Sequence, residues 1–220
     1  MNYIKSPGNF LELPDDCSGY SKSQAVILPI PYEKTTSYLK GTKKGPGAII
    51  KASVQIESYD DELGDAFEAG ICTLNPLETS AKPELMVHEV GRHVKKLLDD
   101  GKFVAVLGGE HSITSGAVSA FKEKFKDLSV LQIDAHSDLR EEYQGSRHSH
   151  ACAMKRVLDI CRVVPVGIRS ISSEEAEFAG KINYKIFWAK DIVGNDKWVD
   201  GAISLLSKNV YITLDLDGLD

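Results

Sequence analysis

The chain has 220 residues, of which 42% are apolar and 26% charged, as expected for one globular domain with a buried core. Its 26 basic and 32 acidic residues give a net charge of −6. That charge, without any cluster of lysine and arginine, argues against a nucleic-acid partner. No apolar stretch approaches the roughly 20 residues of a membrane span, which argues against a membrane protein.

Apolar strand-like runs alternate with segments of helical periodicity. In chain order, strands are predicted at 25–30, 103–107, 129–133, 161–168 and 210–214, and helices at 45–59, 83–98, 113–125, 151–158 and 196–206. Pro165 suggests that the fourth strand bends or lies near an edge. The alternation predicts βαβ units, and hence a three-layer α/β/α fold with a mostly parallel central sheet.

The N-terminus and the cysteines predict a cytoplasmic protein. Residues 1–8 lack the apolar core of a signal peptide. The four cysteines lie far apart and form no C-x-x-C pair, which favours reduced thiols over a disulfide framework. They are Cys17, Cys72, Cys152 and Cys161.

Asp134, His136 and Asp138 stand at alternate positions directly after the strand-like run 129–133. In an extended chain, residues i, i+2 and i+4 point the same way, so these side chains can converge on one point. Two carboxylates and an imidazole offer oxygen and nitrogen ligands. This mixture suits a divalent metal of intermediate hardness such as manganese better than a metal that prefers thiolates.

Two further motifs follow strand-like runs in the same way. His111 lies in Gly-Gly-Glu-His-Ser at 108–112, after 103–107, and Asp215 and Asp217 come after 210–214. In parallel α/β sheets, ligands bind at the carboxyl ends of strands. Three strands that end together would supply four carboxylates and two imidazoles, enough for two divalent metals if some carboxylates bridge. The predicted metal ligands are His111, Asp134, His136, Asp138, Asp215 and Asp217.

The last motif lies only a few residues before the end of the chain. Chain termini tend to fray, and strand 210–214 should be covered by further chain. We therefore expect residues 1–220 to be a single domain that lacks its C-terminal part.

The three motifs resemble those of the ureohydrolase family of arginases and agmatinases, which carries GG(D/E)HS, DAHxD and (S/D)xDxxD in this order. Thr36-Ser-Tyr38, Gly45-Pro46 and Ser149-His150-Ala151 also look like bacterial or archaeal-type agmatinases. The resemblance implies an arginase-like fold with the metal site at the C-terminal strand ends, and a homo-oligomer, trimeric or hexameric.

Carried over residue by residue, the resemblance implies two Mn²⁺ per subunit, with Asp134 and Asp215 bridging them. One ion would be held by His111, Asp134, Asp138 and Asp215, and the other by Asp134, His136, Asp215 and Asp217. His150 would be the loop histidine that shuttles protons and contacts a small cationic guanidino substrate.

A guanidinium group is a poor electrophile, and neutral water is a poor nucleophile. Two divalent cations lower the pKa of a water so that hydroxide is available near neutral pH. Asp138 is suited to orient that nucleophile. The amine must leave protonated, which needs a proton donor, and a histidine such as His150 is the best candidate.

The leading prediction is hydrolysis of agmatine to putrescine and urea. Guanidinobutyrate, arginine, guanidinopropionate and formiminoglutamate remain open as substrates, because the polar loop 140–149 does not discriminate among them. A zinc deacetylase on a related sheet is a second enzyme class, although its single-metal site fits these motifs less well. A truncated or degenerate family member that binds metal or assembles without turnover is the non-enzyme alternative.

Overall fold

The computed structural model describes residues 1–219 and consists of parallel strands connected largely through helices. The strands are β1 Ala25–Ile30, β2 Ile71–Thr73, β3 Phe103–Gly108, β4 Leu128–Ile133, β5 Arg162–Ile168, β6 Phe187–Trp188 and β7 Asn209–Leu214. The helices are α1 Asp15–Ser18, α2 Gly45–Ser53, α3 Pro83–Asp99, α4 Thr114–Lys124, α5 Ala153–Leu158, α6 Ser173–Lys181, α7 Ala189–Ile192 and α8 Lys197–Ile203. Single 3-10 turns at His111–Ile113, His150–Cys152 and Leu216–Gly218 carry predicted site residues.

The chain divides into two compact units. The first unit comprises Met1–Lys82 and Arg92–Glu110, and the second comprises Pro83–Gly91 and the chain from His111 onward. The first unit contains a three-stranded sheet of order β2-β1-β3, and the second a four-stranded sheet of order β6-β5-β4-β7. Each neighbouring pair of strands in these two sheets is parallel, which confirms the predicted parallel α/β fold class. The single domain over 1–220 stays a prediction.

All five predicted strands and all five predicted helices are present; the first strand has the predicted ends and the other elements differ at one or both ends. The helix predicted over 45–59 ends at Ser53, where the chain turns through hydrogen bonds from Gln55 and Ile56 to the carbonyls three residues back. Strands β2 and β6, which are only three and two residues long, were not predicted from the sequence, and neither was helix α6. Helix α6 begins with a capping box between Ser172 and Glu175, and this S-x-x-E pattern is a recognisable start signal.

Pro165 lies in an interior strand that is the neighbour of edge strand β6, and the pairing of the two strands is irregular between Val166 and Ile168, next to the proline. β5 pairs with β4 on one side and with β6 on the other. The Val166 carbonyl accepts a hydrogen bond from the Asp134 backbone, which directs the nitrogen of Pro165 toward the β6 side. Because β6 pairs only with Val166 and Ile168, the missing amide hydrogen of Pro165 costs no ladder bond there.

The core of the second unit supports the sheet that carries the site. Val130 of β4, Val163 of β5, Met154 of α5 and Ala179 of α6 belong to one buried cluster. Each fully buried side chain of valine or methionine size contributes about 1.5–3 kcal/mol to stability. The packing of Val130 and Val163 in this cluster holds β4 beside β5. It thereby determines where the residues that follow β4 lie.

Two further features of the described residues bear on the class of protein. The four cysteines are free thiols. Among residues 1–219, no helix combines the length and the apolar character that crossing a bilayer requires.

Candidate metal centre

The carboxyl ends of β4 and β7 form the edge on which the predicted ligands gather. Ile133 pairs with Leu214, and the Asp215 backbone donates a 2.9 Å hydrogen bond to the Ile133 carbonyl. Asp134 therefore lies beside the chain that carries Asp215 and Asp217. β3 belongs to the other sheet, in the first unit. His111 lies in the 3-10 turn that follows β3 in sequence, and it belongs to the second unit.

A buried imidazole lies among three carboxylates at this edge. His111 Nδ1 lies 2.9 Å from Asp138 Oδ2, 3.2 Å from Asp134 Oδ2 and 3.8 Å from Asp215 Oδ2. His111, Asp134 and Asp215 each offer an atom within 4.8 Å of the others. The ligand atoms of these three residues are close enough together to bind one metal ion.

A second group shares Asp134 with the first. His136 Nδ1 lies 3.0 Å from Asp217 Oδ2 and 3.9 Å from Asp134 Oδ1. The ligand atoms of Asp134, His136 and Asp217 also lie within 4.8 Å of one another. His136 and Asp217 are about half exposed, whereas the Asp134 side chain is buried. The structure thus brings all six predicted metal ligands together around Asp134.

Buried polar side chains outside the three sequence motifs orient the ligands. Thr213 of β7 lies 2.9 Å through Oγ1 from His111 Nε2, which directs Nδ1 toward the carboxylates. Gln132 of β4 donates from Nε2 to Asp134 Oδ2 at 3.0 Å and to the His136 carbonyl at 2.9 Å. The sequence signal for Gln132 and Thr213 is that each is a polar residue within an otherwise apolar strand.

The electrostatics of the site favour positive charge among the carboxylates. Burial opposes protonation of His111, but its hydrogen bonds and charge interactions with Asp134 and Asp138 raise its pKa well above the usual value. Burial also opposes ionisation of Asp134, yet the His111 hydrogen bond, the His111 charge and donors from Gln132 and His136 hold its pKa below the usual value. Burial, aided by neighbouring carboxylates, raises the pKa of Asp138 and Asp215.

The residues present fit divalent cations. The donor set is carboxylate oxygen and imidazole nitrogen without thiolate, which suits manganese and similar ions. Several carboxylates packed at this distance repel one another unless a cation lies between them. The hydrogen-bonded supports of Asp134 and His111 are of the kind that metal-ligating side chains have.

His150 lies beside this cluster on the 3-10 turn before α5. Its charge, like that of His111, acts to lower the pKa of Asp138, against the larger effect of burial. The His150 ring meets the Tyr143 ring edge-on at 5.9 Å, and Ser149 Oγ lies 3.3 Å from His150 Nδ1. The guanidinium of Arg140 in turn lies over the Tyr143 ring, 4.8 Å from its centre.

Glu110, next to His111 in sequence, has a supporting role within the first unit. Its carboxylate accepts hydrogen bonds from the backbone of Lys34 and Thr35 and from the Thr35 hydroxyl, at 2.6–2.7 Å. It therefore holds the segment after β1 rather than adding a ligand.

Gly218 allows a close approach that the site requires. A Cβ at Gly218 would lie 2.9 Å from the Asp134 nitrogen and 3.0 Å from its Cα. We expect Gly218→Ala to displace the turn that carries Asp217, to cost roughly 1–3 kcal/mol of stability and to weaken manganese binding about tenfold. Thermal unfolding and titration with manganese measure both effects.

Gly180→Ala is the matched control for Gly218→Ala. A Cβ at Gly180, in α6, meets nothing within 4 Å. Alanine there should leave manganese affinity unchanged and stabilise the helix slightly. Equal manganese affinity in the two variants would contradict the close approach at Gly218.

Comparison with known proteins identifies the family. The family model described as the arginase family matches residues 23–220. The chain belongs to the arginase family. The predicted class of enzyme, a ureohydrolase acting on amidine C–N bonds, is confirmed with it, which decides against the deacetylase alternative.

Individual relatives agree with this assignment. The chain is 42% identical to the N(1)-aminopropylagmatine ureohydrolase of Synechocystis, over 99% of this chain and 74% of that protein. It is 38% identical to the protein of the same name from Thermus thermophilus, over 91% of this chain and 70% of that protein. The solved structure of agmatine ureohydrolase from Thermoplasma volcanium is similar with a TM-score of 0.87 and 36% identity, over 99% of this chain and 74% of that one.

Proposed function

We propose that this chain is a binuclear manganese ureohydrolase that releases urea from a guanidino-alkylamine. The observation that carries the proposal is the position of Asp134, which belongs to both groups of potential ligands. A carboxylate shared in this way is suited to bridge two ions. One ion would be held by His111, Asp134, Asp138 and Asp215, and the other by Asp134, His136, Asp215 and Asp217.

When bound, the two cations would act as Lewis acids that lower the pKa of a water near the guanidinium carbon. Asp138, whose carboxylate lies 2.9 Å from His111, is suited to accept a hydrogen bond from the attacking water and so to orient it. His150 delivers a proton to the departing amine nitrogen as the C–N bond breaks. The products are urea and a protonated amine.

The site charge supports a cationic substrate. Four carboxylates offset the charge of two divalent ions, so a guanidinium can approach without strong repulsion. The sequence predicts agmatine, and the Thermoplasma volcanium enzyme with 36% identity is named for agmatine. Two relatives with 42% and 38% identity are named for N(1)-aminopropylagmatine instead. We propose N(1)-aminopropylagmatine as the preferred substrate and agmatine as the second candidate.

Urea release tests the substrate directly. The 220-residue chain is loaded with manganese and assayed with N(1)-aminopropylagmatine, agmatine, arginine and guanidinobutyrate, and manganese per chain is measured on the same sample. Arginine differs from agmatine only by its α-carboxylate, and guanidinobutyrate exchanges the amine for a carboxylate. We expect kcat/KM for N(1)-aminopropylagmatine to exceed that for agmatine by about tenfold, the effect of about 1.4 kcal/mol.

The outcomes separate the remaining alternatives. Faster turnover of agmatine would restore the sequence prediction, and preference for arginine or guanidinobutyrate would reject a guanidino-alkylamine. Two bound manganese ions without urea from any of the four compounds would support a metal-binding member without turnover. Absence of bound manganese would reject the metal centre.

The proposal also includes an oligomeric state and a cellular location. We propose a homo-oligomer, a trimer or hexamer, in the cytoplasm. Light scattering of the purified protein measures the first, and cell fractionation measures the second.

A further inference from the structure

The loop 134–140 carries three of the predicted ligands in a backbone conformation that needs support. Asp138 has φ of 50°, in the left-handed region. For a residue other than glycine this conformation costs about 1–2 kcal/mol and persists where surrounding contacts hold it. In this conformation the Asp138 carboxylate lies 2.9 Å from His111 Nδ1.

Glu175 of α6 binds the loop on both sides of Asp138. Its side chain is buried, and its Oε1 accepts hydrogen bonds from the Ser137 hydroxyl and from the Leu139 backbone, both at 2.8 Å. Ser137 and Leu139 are the two chain neighbours of Asp138. A single oxygen atom therefore binds the Ser137 side chain on one side of the left-handed residue and the Leu139 backbone on the other.

The second oxygen of Glu175 fixes the carboxylate to its own helix. Oε2 accepts a 2.8 Å hydrogen bond from the Ser172 backbone, and the Ser172 hydroxyl accepts from the Glu175 backbone at 3.3 Å. Arg140 Nε lies 4.0 Å from the same Oε2. Burial opposes ionisation of Glu175, but hydrogen bonds from Ser172, Ser137 and Leu139 hold its pKa below the usual value. A buried carboxylate anchored in this way is a rigid attachment point.

We propose that Glu175 is a positioning residue that holds Asp138, and with it the loop carrying His136, in the geometry required for binding two cations. The proposal rests on the proposed function for the identity of the cations. The simpler explanation is that Glu175 only caps α6. The two explanations differ in which hydrogen bonds of Glu175 affect the metal centre.

Single substitutions separate the two sets of bonds. Ser137→Ala removes a bond to the loop and leaves the helix cap. Ser172→Ala removes the hydroxyl half of the cap and leaves both bonds to the loop. Glu175→Gln cannot accept at both oxygen positions at once. Glu174→Gln, at the exposed neighbouring position of the same helix turn, is the matched control.

We expect Ser137→Ala and Glu175→Gln to weaken manganese binding about 10- to 100-fold, the usual effect of losing a residue that supports metal ligands. Their kcat should fall more than their KM changes, because the substrate contacts remain. Ser172→Ala should lower the Tm but keep manganese affinity within about twofold of the parent protein. Glu174→Gln should change neither quantity.

Hydrogen exchange provides a measurement that needs no manganese and no substrate. In the chelator-treated protein, the Leu139 amide should exchange faster in Glu175→Ala than in the parent protein, because its acceptor is removed. Unchanged Leu139 exchange would overturn the proposal. So would equal manganese affinity in Ser137→Ala and Ser172→Ala, since the cap would then account for Glu175.

Failure of this inference can be told apart from failure of the proposed function. If the parent protein binds manganese but releases no urea, the proposed function fails while the exchange and binding results still decide the role of Glu175. If the parent protein is active and the Glu175 and Ser137 variants match it in affinity and exchange, only the positioning role fails.

Discussion

Asp134→Ala should remove both manganese ions and nearly all activity. Asp134 belongs to both groups of potential ligands, so its loss takes one ligand from each ion. Its carboxylate also accepts from Gln132 Nε2 and from the His136 backbone, and these donors would lose their acceptor. We expect a loss of at least about 10³-fold in kcat, or about 4 kcal/mol in the barrier. Metal analysis and urea release on the same preparation measure the effect.

Two further variants make the Asp134 result interpretable. Asp134→Asn keeps the size of the side chain and an acceptor for the His136 backbone but removes the charge, so it should retain the fold while losing manganese. Asp61→Ala, at an exposed carboxylate of the first unit, should change neither metal content nor rate. Two ions per chain in Asp134→Ala would show that the shared carboxylate does not bridge.

His150→Ala should keep both metals and lower the rate. Among residues 1–219, His150 is not in either group of potential ligands, yet its charge acts on Asp138. Loss of a proton donor typically lowers the rate about 10²- to 10⁴-fold. The measurement is kcat with saturating substrate, with manganese per chain determined in parallel. Added imidazole should restore part of the activity if the missing group is the proton donor.

His148→Ala is the control for His150→Ala, because it removes an imidazole from the same loop, two residues earlier. We expect its rate to stay close to that of the parent protein. Loss of manganese in His150→Ala would make His150 a ligand rather than a proton donor. An equal loss of rate in both variants would instead indicate disruption of the loop.

The sequence predicted much of the site because ligands close in sequence need only local geometry. Alternation along an extended chain is enough to place Asp134 and His136 together, and a local turn does this for Asp215 and Asp217, because the Asp217 backbone donates to the Asp215 carboxylate. Helix α6 and its Glu175 were missed although the capping box was present in the sequence. The bonds from Glu175 to Ser137 and Leu139 span 36 to 38 residues, and a local pattern does not specify them.

The sequence by itself determined the class of fold, the types of ligand and the family, because hydrophobic periodicity and short motifs encode them locally. Only the tertiary structure decided that β4 and β7 are neighbours, that β3 belongs to a different sheet, and that Pro165 lies in an interior strand. It also decided that Thr213 orients His111 and that Asp138 adopts a left-handed backbone. The physical reason is that strand order and long-range hydrogen bonds depend on how the whole core packs, whereas the ligand motifs depend on neighbouring residues alone.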